Sequence, residues 1–480
     1  MAADPISIIL QPENYRLLEL LTAADPEDVA QLLQAAAPSA SARAALLTQL
    51  DLRRQGSEKF GQFARSMIFT RDGLEQATRL PIAALHAQRF HDGGAKIVAD
   101  LGCGIGANAF ALAGLGLTVR AWDLDPQAVA AALVNLRFFP ESSVELGDVT
   151  ELSLAQLVDE GVDAVFADPA RRSGAQSGNR RIMDPAKWSP SLPQVLQWGQ
   201  DLAAAGCDRL GVKVAPGIDY QWIPSSYRAQ WVSHAGVLAD ASLWSPGLSP
   251  EGPGRTAVIL TGEGSLRLRV DGDPSAPVQQ VDTAPLGEFV WEPDAAIIRA
   301  GALAKFAAAC DASGVVSPSI AYLTGNSPVP PQWAPAASCF QVLETVALKP
   351  KAIVAAARSV ATEYGFSRAE VKKRGADIDP AGLQRQLNKA LAKFGGAAAP
   401  ANTPSSARAT SSGVESASEV PSDARELGTP TSTATPAGEA SAPLSADAAA
   451  PAANAAAPGV LTVIATRVNG RHRAILCRRV

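Results

Sequence analysis

Three glycines in five positions, Gly102-Cys103-Gly104-Ile105-Gly106, do most to limit the folds open to this chain. They follow a short apolar run, Lys96 to Asp100, and precede an alanine-rich stretch, Ala107 to Leu115, with helical spacing. The segment "KIVADLGCGIGANAFALAGLG" therefore reads as a buried strand, a tight turn and a helix. Glycines there let the backbone approach a ligand where any side chain would clash. Dinucleotide folds also use a strand, a glycine turn and a helix, so the glycines alone do not choose the ligand. Asp100, just before the turn, narrows the choice. A carboxylate there repels a pyrophosphate and suits a ligand with an ammonium or sulfonium centre.

From about residue 96 to 262, strands and helices alternate, which predicts a mainly parallel α/β sheet. Three further acids fall at the ends of successive expected strands: Asp123 in "LTVRAWDLDP", Asp148 in "SSVELGDVTEL" and Asp168 in "VDAVFADPARR". Ligands of open α/β sheets bind at the carboxyl ends of the strands, so the four acids should converge on one crevice. Each acid alone reads equally well as a helix cap or turn residue; four in order are harder to explain that way. S-adenosylmethionine carries an ammonium and a sulfonium and no phosphate, and it is the expected cofactor. Asp123 is placed to accept both ribose hydroxyls, and Asp148 the adenine amino group.

At 480 residues the chain is too long for one core, and 47% hydrophobic with 19% charged residues suits globular domains. The net charge of −5 gives no overall basic field. Five scattered cysteines (103, 207, 310, 339, 477) include no CxxC pair, which argues against disulfides or zinc and for a cytoplasmic protein. "MAADPISIIL" lacks a basic start and a cleavable apolar core, and no apolar run is long enough to span a bilayer. No histidine cluster suggests a metal. Residues 1–92 read as a helical region, 93–265 as the alternating domain and 266–394 as the first part of a C-terminal domain. Residues 395–458, almost wholly Ala, Ser, Thr, Pro and Gly, read as a disordered tether. Residues 459–480 alternate around Asn469-Gly470, a hairpin expected to complete the C-terminal domain.

"DLGCGIGANAFALA", "AWDLDP", "GDV" and "DPARR" resemble the successive motifs of class I S-adenosylmethionine-dependent methyltransferases, over about Glu58 to Leu260. The resemblance implies a Rossmann-like α/β sheet with Gly102, Gly104 and Gly106 along the methionine end of the cofactor. By the same likeness Asp100 meets its ammonium, Asp123 the ribose and Asp148 the adenine. The preceding "EKFGQFARSMIFTRDGLEQAT" is similar to trimethylguanosine synthase-like RNA methyltransferases, whose upstream helical segment closes over the cofactor. Phe69, Thr70 and Arg71 stand at that place, although Phe69 also reads as simple packing. A closer likeness, in "DPARR", "WSPSL", "WEPDAAIIRAG", "YLTGN", "VKKRGADIDPAGLQRQL" and "TVIATRVNGRHRAIL", is to bacterial methyltransferases with a C-terminal THUMP-like domain. It implies an α+β C-terminal domain; THUMP domains bind RNA, usually tRNA.

Families that methylate amino groups carry Asp/Asn-Pro-Pro-aromatic after the fourth strand. Here the residues are Asp168-Pro169-Ala170-Arg171, which keep the acceptor and lose the aromatic. Pyrimidine C5 chemistry needs a cysteine near the fifth strand, and "RLGVKVAPGIDY" has none. Arg171 and Arg172, with Arg180, Arg181 and Lys187, form a local basic loop that either grips a substrate phosphate or pairs with acids such as Asp184. Trp188 is either a stacking surface or core. Lys372-Lys373-Arg374 and Arg467, Arg471, His472, Arg473, Arg478 and Arg479 are the densest basic groups, an RNA-binding face or a solvated surface. The expected function is methylation of RNA, tRNA or rRNA, at an exocyclic base nitrogen. A small-molecule or protein substrate, or a non-catalytic RNA-binding protein with a vestigial pocket, are the alternatives.

Overall fold

A computed structural model describes residues 4–171, 182–272, 280–392 and 459–480. The expected tether and Arg172, Arg180 and Arg181 lie outside the described residues.

The chain opens in helices whose starts are set by proline or by caps. Pro12–Ala23 and Leu80–Asp92 carry proline in the first turn, and Ser39 Oγ accepts the Ala42 amide ahead of Ala40–Phe60. Leu17, Leu18, Leu46, Leu52 and Phe60 bury against Met67, Ile68 and Phe69, and this cluster includes Ile105 and Ala107 of the glycine turn. The N-terminal helices therefore pack directly onto the segment that begins the sheet.

Nine strands among the described residues form the first sheet: β1 (Ile97–Leu101), β2 (Thr118–Asp123), β3 (Ser143–Leu146), β4 (Ala164–Ala167), β5 (Leu210–Lys213), β6 (Arg228–His234), β7 (Val237–Trp244), β8 (Gly254–Leu260) and β9 (Leu266–Gly272). Their order is β3-β2-β1-β4-β5-β7-β6-β8-β9. The first five are parallel, with helices Ala107–Gly114, Pro126–Asn135, Leu154–Asp159 and Leu192–Ala204 between them. This is the doubly wound arrangement, whose order reverses beside β1 and opens a crevice there.

The alternation expected to residue 262 stops at β5. β6 and β7 are joined by Ala235-Gly236, both at positive φ (52° and 77°), a two-residue turn that makes an antiparallel hairpin. β7 pairs antiparallel with β5, β6 parallel with β8, and β9 closes the edge. Apolar runs do not by themselves show whether a helix separates two strands.

The second sheet contains β10 (Phe289–Pro293), β11 (Gly314–Ser317), β12 (Ile320–Gly325), β13 (Ala337–Ala347), β14 (Arg368–Lys373), β15 (Val460–Val468) and β16 (Arg471–Arg479). Its order is β11-β12-β10-β13-β16-β15-β14, with helices Pro350–Tyr364 and Pro380–Leu391 packed on Leu461, Val463 and Leu476. Asn469 and Gly470, at φ 46° and 77°, turn β15 into β16. The sheet curls strongly, since Lys372 on β14 reaches Glu292 on β10 at 2.7 Å. The two sheets share one core: Trp231, Ala257 and Ile259 of the first cluster with Trp291, Ile297 and Phe306 after it. Ser233 of β6 also donates to Asp294, which caps the helix Ala295–Arg299. Among the described residues no helix is long and apolar enough to cross a membrane.

Candidate active site

Parallel pairing brings the ends of β1, β2 and β4 together, and with them Asp100, Asp123 and Asp168. Gly102 turns at φ 88°; a Cβ there would sit 3.0 Å from the carbonyl oxygen of Asp168. Gly104, at φ 55°, would place a Cβ with nothing within 4 Å, so its side of the turn lies open. Gly106 precedes the helix Ala107–Gly114.

The four acids are not alike. Asp123 braces the turn, its Oδ2 accepting the Gly104 amide at 2.8 Å and its Oδ1 the Asp125 amide at 2.9 Å. Asp148 accepts the Thr150 amide and hydroxyl, and these bonds hold its carboxyl below the usual carboxylate range. Both therefore do the work of turn residues while keeping free lone pairs. Asp100 is 1% exposed, and neither of its oxygens has a hydrogen-bond partner among the described residues. Burial, then the neighbouring charges of Asp168 and Asp123, push its carboxyl up to about 8; the nearby Ala109 amide and Lys213 offset only part. A buried carboxyl group whose charged form has no adequate countercharge, beside an open glycine turn, fits a cationic ligand group.

Asp168 is held differently. Its Oδ2 accepts from Lys213 Nζ at 2.7 Å, and its amide donates to Leu101 O. Pro169 is buried behind it. Arg171 is half-buried, with its guanidinium 6.0 Å from the Trp188 ring centre. Trp188 itself is 4% exposed, lies in the main core and donates to Ile182 O at 3.1 Å. Its ring is covered by core, so the stacking alternative does not fit this arrangement. Lys187 pairs with Asp184 at 3.8 Å. Phe69 is fully buried, with its ring against Gly56, and Thr70 caps the helix Arg71–Gln76; the packing reading holds for Phe69 here.

Three groups escaped the sequence reading. Lys213 is one. Asn135, wholly buried, accepts the Ile68 amide and donates to the carbonyls of Ile68 and Ile105, tying the upstream helices to the glycine turn. The third is a buried set behind the crevice, in which His86 faces Asn108 Oδ1 and Asp240 Oδ2, each at 3.1 Å. Burial pushes the Asp240 carboxyl up, but His86, with Lys213 and Arg171, outweighs it and holds the carboxyl low. Among the described residues no cluster could hold a metal.

The sequence profile of the Methyltransferase small domain family matches residues 62–187, the span containing the glycine turn and all four acids. An uncharacterized S-adenosylmethionine-dependent methyltransferase of Mycobacterium tuberculosis, found in strains CDC 1551 and H37Rv, is 31% identical over 348 residues. That match covers 70% of this chain and 86% of the relative. The chain belongs to the S-adenosylmethionine-dependent methyltransferases. It is an enzyme, and S-adenosylmethionine is its cofactor. The crystal structure of a Porphyromonas gingivalis W83 protein assigned as a methyltransferase covers all of both chains at a TM-score of 0.61 with 16% identity. That likeness extends the shared fold beyond the methyltransferase sheet to the C-terminal α+β region.

Proposed function

We propose that this methyltransferase acts on RNA, at a nitrogen whose N–H is accepted by Asp168. The observation that supports an RNA substrate is a gathering of cations at one end of the second sheet. β14 and β15 run parallel and β16 returns from β15, so Lys373 and Arg374, Arg467, and Arg471, His472 and Arg473 share that end. Arg467 stands opposite His472 across the hairpin. Among the described residues none of Arg467, Arg471 and Arg473 is in an ion pair, and Arg467, Arg471 and His472 are exposed. Like charges gathered at one end of a sheet repel one another, and their grouping suits a polyphosphate backbone. The THUMP-like reading of this α+β region agrees with that use.

In the crevice, Asp100 is the acceptor for the cofactor ammonium, the turn Gly102–Gly106, open at Gly104, admits its methionine end, and Asp123 and Asp148 offer free lone pairs to ribose and adenine. S-adenosylmethionine, when bound, supplies an electrophilic methyl group on a sulfonium. The remaining work is to orient the substrate and exclude water. Arg171, half-buried beside the acceptor, is the residue placed to meet a phosphate or base face where related families use an aromatic.

The test is transfer of labelled methyl from S-adenosylmethionine into separated RNA, protein and small-metabolite fractions. Label in RNA supports the reading, and label confined to protein or metabolites overturns it. Reversing Arg467, Arg471 and Arg473 to Glu should weaken RNA binding and flatten its salt dependence.

A further inference from the structure

We propose that Lys213 is a positioning residue of the transfer reaction, fixing Asp168 as a one-sided acceptor for a substrate N–H. The inference rests on the reading of the crevice as the transfer site, but not on the substrate being RNA.

The pair is built into the sheet. Ala167 on β4 stands beside Val212 on β5, so Asp168, just past β4, and Lys213, the last residue of β5, stand side by side. The Lys213 side chain is 8% exposed, that of Asp168 23%, and Nζ lies 2.7 Å from Oδ2. Because strand register sets the contact, it does not depend on a loop closing. Among the described residues Lys213 has no second acceptor, although an ammonium has three donors. Burying such a pair adds little stability over an apolar residue of similar size, so its presence calls for a reason beyond folding.

The surroundings supply one. Asp168 and Asp123 both lie near enough to act on Asp100, and Asp240 is on the strand paired with β5. Asp240 is held by His86 and Ser242, which leaves Lys213 committed to Asp168. Without the lysine, Asp168 would face Asp100 with no countercharge. With it, the carboxylate is anchored through Oδ2 and, among the described residues, Oδ1 is left without a protein donor, turned to a substrate hydrogen. An ionised carboxylate only accepts, so the site selects a nucleophile that carries a hydrogen and turns its lone pair toward the methyl group. With the lysine bonded to it, the role assigned to Asp168 is to orient the nucleophile. As the new N–C bond forms, the C–S bond breaks and its electrons return to sulfur. The surplus proton leaves the methylated nitrogen for water.

The experiment uses the full chain and whichever cellular fraction accepts label from the wild-type enzyme. K213M should bind S-adenosylhomocysteine within about threefold of wild type by calorimetry, yet lose about 100-fold in kcat, the scale of a misplaced reactant. K213R should recover at least a tenth of the wild-type rate. The double variant D168N/K213M should be no slower than D168N, since the two residues act as a unit. If K213M does not fold, K213Q compared with K213R makes the same distinction. A wild-type rate in K213M or K213Q, or losses at the two positions that multiply, would overturn the proposal. Label in protein instead of RNA would sink the RNA reading and leave this comparison intact.

Discussion

Replacing Asp100 with Asn should make the ligand-free protein more stable at pH 8 and abolish cofactor binding. Burial and two neighbouring acids raise the Asp100 carboxyl from 3.8 to about 8. Between these values the folded protein keeps a proton that the unfolded chain releases. Stability is therefore lost as pH rises through the window, by a total on the order of 5 kcal/mol at about 1.4 kcal/mol per pH unit. From pH 5 to pH 8 the wild type should lose roughly 4 kcal/mol through this group, and Asp100→Asn none. The amide leaves a buried donor without a partner, costing about 1–3 kcal/mol at every pH. The two proteins should thus be nearly equal at pH 5, with the variant ahead at pH 8 by roughly 5 °C in Tm. Differential scanning fluorimetry at half-unit intervals reads this directly, because ionisations remote from Asp100 are common to both proteins. S-adenosylhomocysteine should raise the wild-type Tm at pH 8 and leave the variant unmoved. Parallel Tm curves for the two proteins between pH 5 and 8 would refute the reasoning, since Asp100 would then carry no buried proton.

Asn135→Ala strands the Ile68 amide and two carbonyls, and should cost about 2–4 kcal/mol in urea unfolding; a loss below about 0.5 kcal/mol would show that water replaces the amide. Gly102→Ala forces a side chain at φ 88° against the Asp168 carbonyl, costing about 1–3 kcal/mol and weakening S-adenosylhomocysteine binding about tenfold by calorimetry. Deleting residues 459–480 removes β15 and β16 from between β13 and β14; expression should yield aggregate, and a soluble monomer would contradict the role given to the hairpin.

The parts legible in sequence were those that announce themselves locally. Gly102, Gly104 and Gly106 signal a turn because positive φ excludes most other residues, and Asn469-Gly470 signals a hairpin for the same reason. Asp100 and Asp168 stood out because each ends an apolar run at a strand end, and Asp123 and Asp148 because each follows the next expected strand in order. Lys213 gave the same signal in "RLGVKVA", and only its sign set it apart. Its partner could not be read, because pairing with Asp168 follows from β4 and β5 being neighbours, a fact 45 residues apart in sequence. Asn135 and the His86–Asp240 contact were hidden for that reason too. Trp188 shows the converse limit: an aromatic near a motif looks available until burial is known. The β6–β7 hairpin was missed because Ala235 does not advertise a positive φ.

The placement of the final hairpin has a consequence for how the protein is made. The strands of the first sheet are contiguous in the chain, from Ile97 to Gly272, and can pair as they leave the ribosome. In the second sheet β13 and β14 are separated by β15 and β16, which follow both of them in the chain. Until residues 460 to 479 emerge, β13 and β14 each present an unpaired edge, with a long stretch of synthesis between them and completion. The catalytic half is thus finished early, while the C-terminal half waits on its final hairpin.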